Sequence, residues 1–91
     1  MTTFDPIALE QSAKRREKNI LAFEETIRKE QAFIDHYEYV ISKIDPEHPD
    51  VKKLESTIKK KKENIRTFKK AIKDERILIK QELIMAKNRP Y

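Results

Sequence analysis

A seven-residue repeat of β-branched apolar residues constrains this chain more than any other feature. The repeat occupies one heptad position, here labelled a, in both halves of the sequence: Ile20, Ile27, Ile34, Ile41, Val51, Ile58, Ile65, Ile72 and Ile79. The alternate 3–4 spacing, labelled d, is also filled by large apolar residues: Phe23, Tyr37, Ile44, Leu54 and Phe68. Apolar residues at a and d form the seam of a coiled coil. The repeat therefore predicts two long helices that pack along one seam.

Prolines divide the chain into two helices of matched length. Asp5 followed by Pro6 is typical of a helix start, because the carboxylate caps free N–H groups and proline has none to lose. The segment "DPEHPD", residues 45–50, cannot continue a helix, since proline disfavours helical geometry in the residue before it. We expect one all-α domain over residues 1–91, with helix 1 at about 6–44, a turn at 45–49 and helix 2 at about 50–87. Two such helices, each about 57 Å long, form an antiparallel hairpin.

Charged residues interrupt the seam, and their positions support one alignment of the two helices. When Ile44 is placed opposite Val51, charges of opposite sign meet at the interrupted layers: Glu30 beside Lys61, and Arg16 between Glu75 and Glu82. Such residues fix the alignment of a coiled coil at some cost in stability. We interpret these carboxylates as structural rather than as a general acid–base pair, because no nucleophile accompanies them. On the e side of the seam, the same register predicts the ion pairs Glu24–Lys69 and Glu17–Arg76.

The opposite side of the seam carries no charge. In an antiparallel pair the g positions of both helices line one side, and ten of them are neutral: Ser12, Asn19, Thr26, Phe33, Val40, Thr57, Asn64, Ala71, Leu78 and Met85. In a chain with 41% charged residues, this uncharged flank is either accidental polarity on a solvated face or a surface buried against another molecule. We expect burial, with a second copy completing a four-helix bundle as a homodimer.

Helix 2 carries a row of cations along its outward b positions. This basic stripe consists of Lys52, Lys59, Arg66, Lys73 and Lys80, spaced about 10.5 Å apart. Residues 1–48 have seven Lys/Arg against ten Asp/Glu, net −3, whereas residues 49–91 have fourteen against six, net +8. Such asymmetry is typical of a polyanion-binding surface, nucleic acid or acidic protein, but long exposed helices also carry lysine for solubility. Both interpretations stay open.

The end of helix 2 has apolar residues on more than one face. Ile77 and Ile84 fall at outward f positions and form an end patch that should be covered. The cover is either the chain's own start, through Phe4, Ile7 and Leu9, or the helix or groove of a partner. We favour the chain's own start.

The missing residue types exclude several chemistries. Without glycine the chain has no phosphate-cradling loop, and without cysteine it has no thiolate nucleophile or cysteine-ligated zinc. We therefore expect no enzyme, no cofactor, no metal and no small-molecule ligand, and we read His48 among its loop acids as solvated. No apolar run is long enough to span a bilayer, and residues 1–11 lack the pattern of a signal peptide, which predicts a cytoplasmic location. The predicted function is non-catalytic protein binding, as an adaptor, assembly factor or inhibitor; the alternative is a nucleic-acid-binding accessory protein that uses the basic stripe.

Overall fold

Two antiparallel helices make up the fold. The computed structural model describes residues 5–88; within that range α1 spans Pro6–Lys43 and α2 spans Asp50–Lys87, 38 residues each, with no strand. The pair forms a rod measuring 70 × 17 × 13 Å. The predicted all-α helical hairpin is confirmed.

The start of α1 has the cap that the sequence predicts. Asp5 has extended backbone geometry, and its Oδ1 accepts a hydrogen bond of 3.0 Å from the Ile7 N–H. Pro6 occupies the first helical turn, where its missing N–H leaves no donor unsatisfied. The capped start lets α1 continue without interruption to Lys43.

The helix ends one residue earlier than predicted. Ile44 has an extended conformation, φ −99° and ψ 162°, although its N–H still donates to the Val40 carbonyl at 3.2 Å. Pro46 disfavours helical geometry at Asp45, so the chain leaves the helix just before that residue. The exit directs the chain into the turn.

Side chains of the turn bond to its own backbone. Asp45 Oδ1 accepts from the Glu47 N–H at 2.9 Å, and the Asp45 carbonyl accepts from the His48 N–H at 2.9 Å. His48 Nδ1 accepts from the Asp50 N–H at 3.1 Å, where α2 begins. The His48 side chain therefore contacts the N–H of the first residue of α2.

The core follows the a positions of the heptad. Every buried residue in the described range lies at an a position of its helix: Ala13, Ile20, Ile34, Val51, Ile58, Ile65, Ile72 and Ala86. At the centre, Ile34 packs with Ile58 and Ile65, flanked by the half-buried side chains of Ile27, Tyr37 and Ile41 of α1. Toward the open end of the hairpin, the d residues Phe23 and Phe68 bring their ring centroids within 5.7 Å. A single seam of this kind leaves the flanks of the helices partly in water.

The ion pairs on the e side are shifted relative to the prediction. Arg76 Nη2 lies 3.5 Å from Glu24 Oε1, and Lys62 Nζ lies 3.7 Å from Glu38 Oε1. The expected pairs Glu24–Lys69 and Glu17–Arg76 do not form. Helical side chains lean toward the N-terminus of their own helix. Because the two helices are antiparallel, side chains of α1 and α2 lean in opposite directions along the rod. Glu24 therefore pairs with Arg76, seven residues beyond Lys69.

Candidate functional site

A charged cluster lies in the seam near the open end of the hairpin. Arg16 Nε donates to Glu82 Oε1 at 2.7 Å, and Arg16 Nη1 donates to Glu75 Oε1 at 3.1 Å. The Ser12 hydroxyl donates to the same Glu82 oxygen at 3.2 Å. Arg16 therefore lies between two carboxylates, as the register predicts, and Ser12 of the uncharged flank takes part in the seam.

Burial and hydrogen bonding act in opposite directions on the Glu82 carboxyl. Burial raises its pKa, but the hydrogen bonds from Arg16 and Ser12, with the guanidinium charge, hold the pKa below its ordinary value. The hydrogen bond to Glu82 likewise raises the pKa of Arg16. Two carboxylates and one guanidinium bound to each other form a structural cluster, with each Oε1 committed to Arg16.

A second charged contact joins the seam to the uncharged flank. Lys61 Nζ lies 3.4 Å from both carboxylate oxygens of Glu30, which is the predicted pair. The same ammonium lies 4.6 Å from the ring centroid of Phe33, a cation–π contact. Phe33 also stacks on Tyr37, with 6.2 Å between ring centroids. The Phe33 ring on the flank thus contacts both the Lys61 ammonium and the Tyr37 ring.

The uncharged flank lies along one side of the hairpin and is partly exposed. Phe33 is 49% exposed, and Leu78 and Met85 are each 37% exposed. Asn19 and Asn64 are exposed, whereas the rest of the flank is half-buried: Ser12, Thr26, Val40, Thr57 and Ala71. The helix pair alone does not bury this surface.

The threonines of the flank need no polar partner. The Thr26 hydroxyl donates to the Ala22 carbonyl at 3.0 Å, and the Thr57 hydroxyl donates to the Lys53 carbonyl at 3.0 Å. Each hydroxyl is satisfied within its own turn of helix. The flank at these positions can therefore be buried without leaving an unpaired hydroxyl.

An open hollow beside Phe33 was not predicted from the sequence. It is lined by four residues of α1: Lys29, Ala32, Phe33 and His36. Their spacing is i, i+3, i+4 and i+7, which is the diamond that receives a side-chain knob from a facing helix in coiled-coil packing. Small Ala32 beside large Phe33 is the sequence signal that could have revealed it.

The basic stripe lies on the outer face of α2. All five of its residues are exposed, and none forms a salt bridge with any residue of the described range. A shallow hollow beside the stripe also brings acids near it, since Glu55 and Glu63 line it together with Lys59 and Arg66. The positive field is therefore weaker in this half of the stripe than a count of lysines suggests.

The end patch is exposed. Ile77 is 47% exposed and Ile84 is 48% exposed. The expectation that the start of the chain covers them is wrong for Ile7, which is itself 65% exposed, because α1 runs straight from Pro6 along the seam. Leu9 is half-buried at its d position, and Phe4 lies outside the described residues. Leu83, 39% exposed at an e position, adds to the apolar surface here.

The described range contains neither a metal-ion site nor a membrane-spanning helix. Residues 5–88 contain no group of three or more histidine or acidic side chains arranged to hold a metal ion. No helix in that range is both long and apolar enough to cross a membrane.

Comparison with known proteins identifies no relative of this chain. No protein-family model, no curated protein and no solved structure matches the chain. We therefore infer the function from the surfaces of the hairpin itself.

Proposed function

We propose that this hairpin is a non-catalytic protein-interaction module that docks a helical partner along its uncharged flank. The observation that supports the proposal is the neutrality of ten g positions, with Asp50 at the start of α2 as the charged exception, in a chain with 41% charged residues, combined with the partial exposure of Phe33, Leu78 and Met85. Helices of a bundle carry apolar or neutral residues at a, d and one flanking position. The g flank has this composition, but the hairpin alone supplies no helix to cover it.

Packing another helix on the flank offers a gain in free energy that matters in a small domain. Each large apolar side chain that becomes well buried contributes on the order of 1 kcal/mol. A second copy of the chain is one occupant, and it would give a homodimeric four-helix bundle. An adaptor, an assembly factor or an inhibitor could use the same surface with a different protein.

A photo-crosslinking amino acid tests the docking surface directly. Placed at Phe33 or Leu78 in cells of the native host, it should form adducts, whereas the same group at Lys52 or Lys70, on the outer side of α2, should not. An adduct of twice the chain's mass identifies a second copy. Equal adduct yields at flank and outer positions would contradict the proposal.

Dimerisation has its own test by light scattering. Thr26→Lys with Ala71→Lys places like charges near the middle of the flank and should give a helical monomer, while Ser42→Lys at an exposed position should change nothing. A monomeric mass for the unmodified chain at micromolar concentration would exclude the homodimer and leave the flank for a different protein.

A second function has a specific observation in its favour. The five cations of the basic stripe are exposed and have no acidic partner within hydrogen-bonding reach in the described range. A row of unpaired cations attracts a phosphate backbone through counterion release. Nucleic-acid binding is therefore the alternative proposal, and the salt dependence of binding tests it.

A further inference from the structure

Cations border the uncharged flank on both of its long edges. The c positions lie next to the g positions on a helix surface, and those of the two helices form a rim around the flank. The rim contains five cations, all exposed: Arg15, Lys29, Lys43, Lys53 and Lys60. The one acid at a c position in the described range is Asp74. The neutral surface is thus framed by positive charge.

No rim cation forms a salt bridge across the seam in the described range, although the charge of Arg15 acts on Glu82 of α2. Arg15, Lys53 and Lys60 form no salt bridge with any described residue. Lys29 pairs with Glu25 of its own helix at 3.6 Å, with both side chains more than half exposed. Lys43 lies over the Tyr39 ring, 5.5 Å from its centroid. These contacts stay within α1 and leave the rim charges facing water.

Charge makes a second copy a poor occupant of this flank. A two-fold interface places the same surface on both subunits. If α1 faces its own copy, the cations Arg15, Lys29 and Lys43 meet one another; if α1 faces α2, they meet Lys53 and Lys60. Like charges across an interface oppose binding. A partner with acids beside its apolar residues meets no such repulsion.

One hollow that can receive a side chain of a docked helix lies at the outer edge of the flank, on α1. The hollow formed by Lys29, Ala32, Phe33 and His36 lies in the surface beside the flank and is open. A knob from a docked helix can enter it, with the Phe33 ring on one side and the Lys29 ammonium at the edge. An aliphatic side chain on the docked helix would pack against the Phe33 ring, and an acidic residue one helical turn away would pair with the Lys29 ammonium.

We propose that the uncharged flank binds an acidic amphipathic helix of another protein, forming a three-helix bundle in which glutamate or aspartate on the incoming helix pairs with the rim. The proposal depends on the flank being the docking surface, as argued under the proposed function, and specifies the class of partner. The apolar stripe of the incoming helix packs on Phe33, Val40, Ala71 and Leu78. Its flanking acids select it from other helices.

Two synthetic peptides test the proposal with the full chain. Both are about four heptads long with leucine at a and d; one carries glutamate at e and g and the other carries lysine there. Repulsion between like charges hinders self-association of either peptide. By fluorescence anisotropy at physiological salt, the acidic peptide should bind at least about tenfold more tightly than its lysine twin.

Matched variants separate the rim from general electrostatics. The rim variant Arg15→Glu, Lys53→Glu, Lys60→Glu and the stripe variant Lys52→Glu, Lys59→Glu, Lys73→Glu change net charge equally, and none of the six residues forms a salt bridge in the described range. Because the charge of Arg15 acts on Glu82, the pair Lys53→Glu, Lys60→Glu without Arg15→Glu is the control for an effect on the seam. Circular dichroism checks that both variants remain helical. The rim variant should lose about tenfold or more in affinity for the acidic peptide, and the stripe variant less than about threefold.

Three other results would overturn the proposal of an acidic partner helix. Equal loss in both variants would mean that the peptide senses only net charge, and no binding or equal binding of the two peptides would exclude an acidic partner. A dimeric mass for the unmodified chain, with flank crosslinks between copies, would mean that a second copy occupies the flank. In that last case the docking surface stands and the acidic partner fails, so the two proposals are tested separately.

Discussion

Arg16 and Glu82, 66 positions apart in the chain, are joined by a hydrogen bond of 2.7 Å from Nε to Oε1 across the seam. The second carboxylate oxygens, Glu82 Oε2 and Glu75 Oε2, are buried and have no hydrogen-bond partner among the described residues. A buried acceptor without a donor costs free energy. The cluster is therefore better explained as a device that selects one register than as a source of stability.

Stability should fall in acid because of Glu82. Its pKa in the folded state lies below the ordinary value of 4.5, so the unfolded chain binds the proton more tightly than the folded one. The stabilisation contributed by this group is complete above that ordinary value and is lost as the pH falls through the lower, folded-state pKa. Urea midpoints measured by circular dichroism between pH 6 and pH 3 should decrease accordingly.

Glu82→Gln is the matched control for the pH experiment. The amide oxygen can still accept from Arg16 and Ser12, but it does not titrate. The variant should therefore show a shallower loss of the urea midpoint below the ordinary carboxyl pKa. The same acid dependence in both proteins would mean that other carboxylates control it.

Ile34→Ala should destabilise the hairpin strongly. Ile34 is 1% exposed at the centre of the seam, packed with Ile58 and Ile65, and truncating such a residue costs about 2–5 kcal/mol. Leu21→Ala, at a residue 64% exposed on the same helix, should change stability by about 0.5 kcal/mol or less. Urea unfolding measures both. Similar losses in the two variants would be inconsistent with a core at the a positions.

The heptad repeat was enough to predict the architecture. The heptad spacing predicted that the core follows the a positions, although Ile27, Ile41 and Ile79 are only half-buried. The "DPEHPD" segment located the turn to within a residue. The seam charges were also predicted, because Glu30–Lys61 and Arg16–Glu75 follow from register alone. These features depend on spacing along a straight helix, which a sequence specifies directly.

Features that depend on side-chain direction were predicted less well. Heptad position misplaces the e-side pairs by one heptad, because it takes no account of the direction in which side chains lean along each helix. The hollow at Ala32 and the exposure of Ile7 depend on what surrounds a residue in three dimensions. Heptad position alone does not report such surroundings.

A charge swap tests the register at Glu30 and Lys61. Glu30→Lys or Lys61→Glu alone places like charges together in a half-buried layer and should lower the urea midpoint. Lys61→Glu should cost more, since it also removes the cation from the Phe33 ring. The double swap should recover part of the loss, with a coupling of about 1 kcal/mol. Strictly additive losses would contradict a direct contact.

The salt dependence of binding tests whether the basic stripe contacts nucleic acid or is only a solvated face. If Lys59, Arg66 and Lys73 contact phosphates, affinity for DNA or RNA should fall steeply as salt rises, because each neutralised phosphate releases counterions. Changing all three to glutamate should then abolish binding while circular dichroism shows unchanged helicity, whereas Arg15→Glu, Lys53→Glu, Lys60→Glu on the flank rim should retain most of it. Glu55 and Glu63, which line the hollow beside Lys59, weaken the field there, so Glu55→Gln with Glu63→Gln should tighten binding. Binding that disappears at physiological salt, or that both charge-reversal variants weaken alike, would identify the stripe as a solvated face.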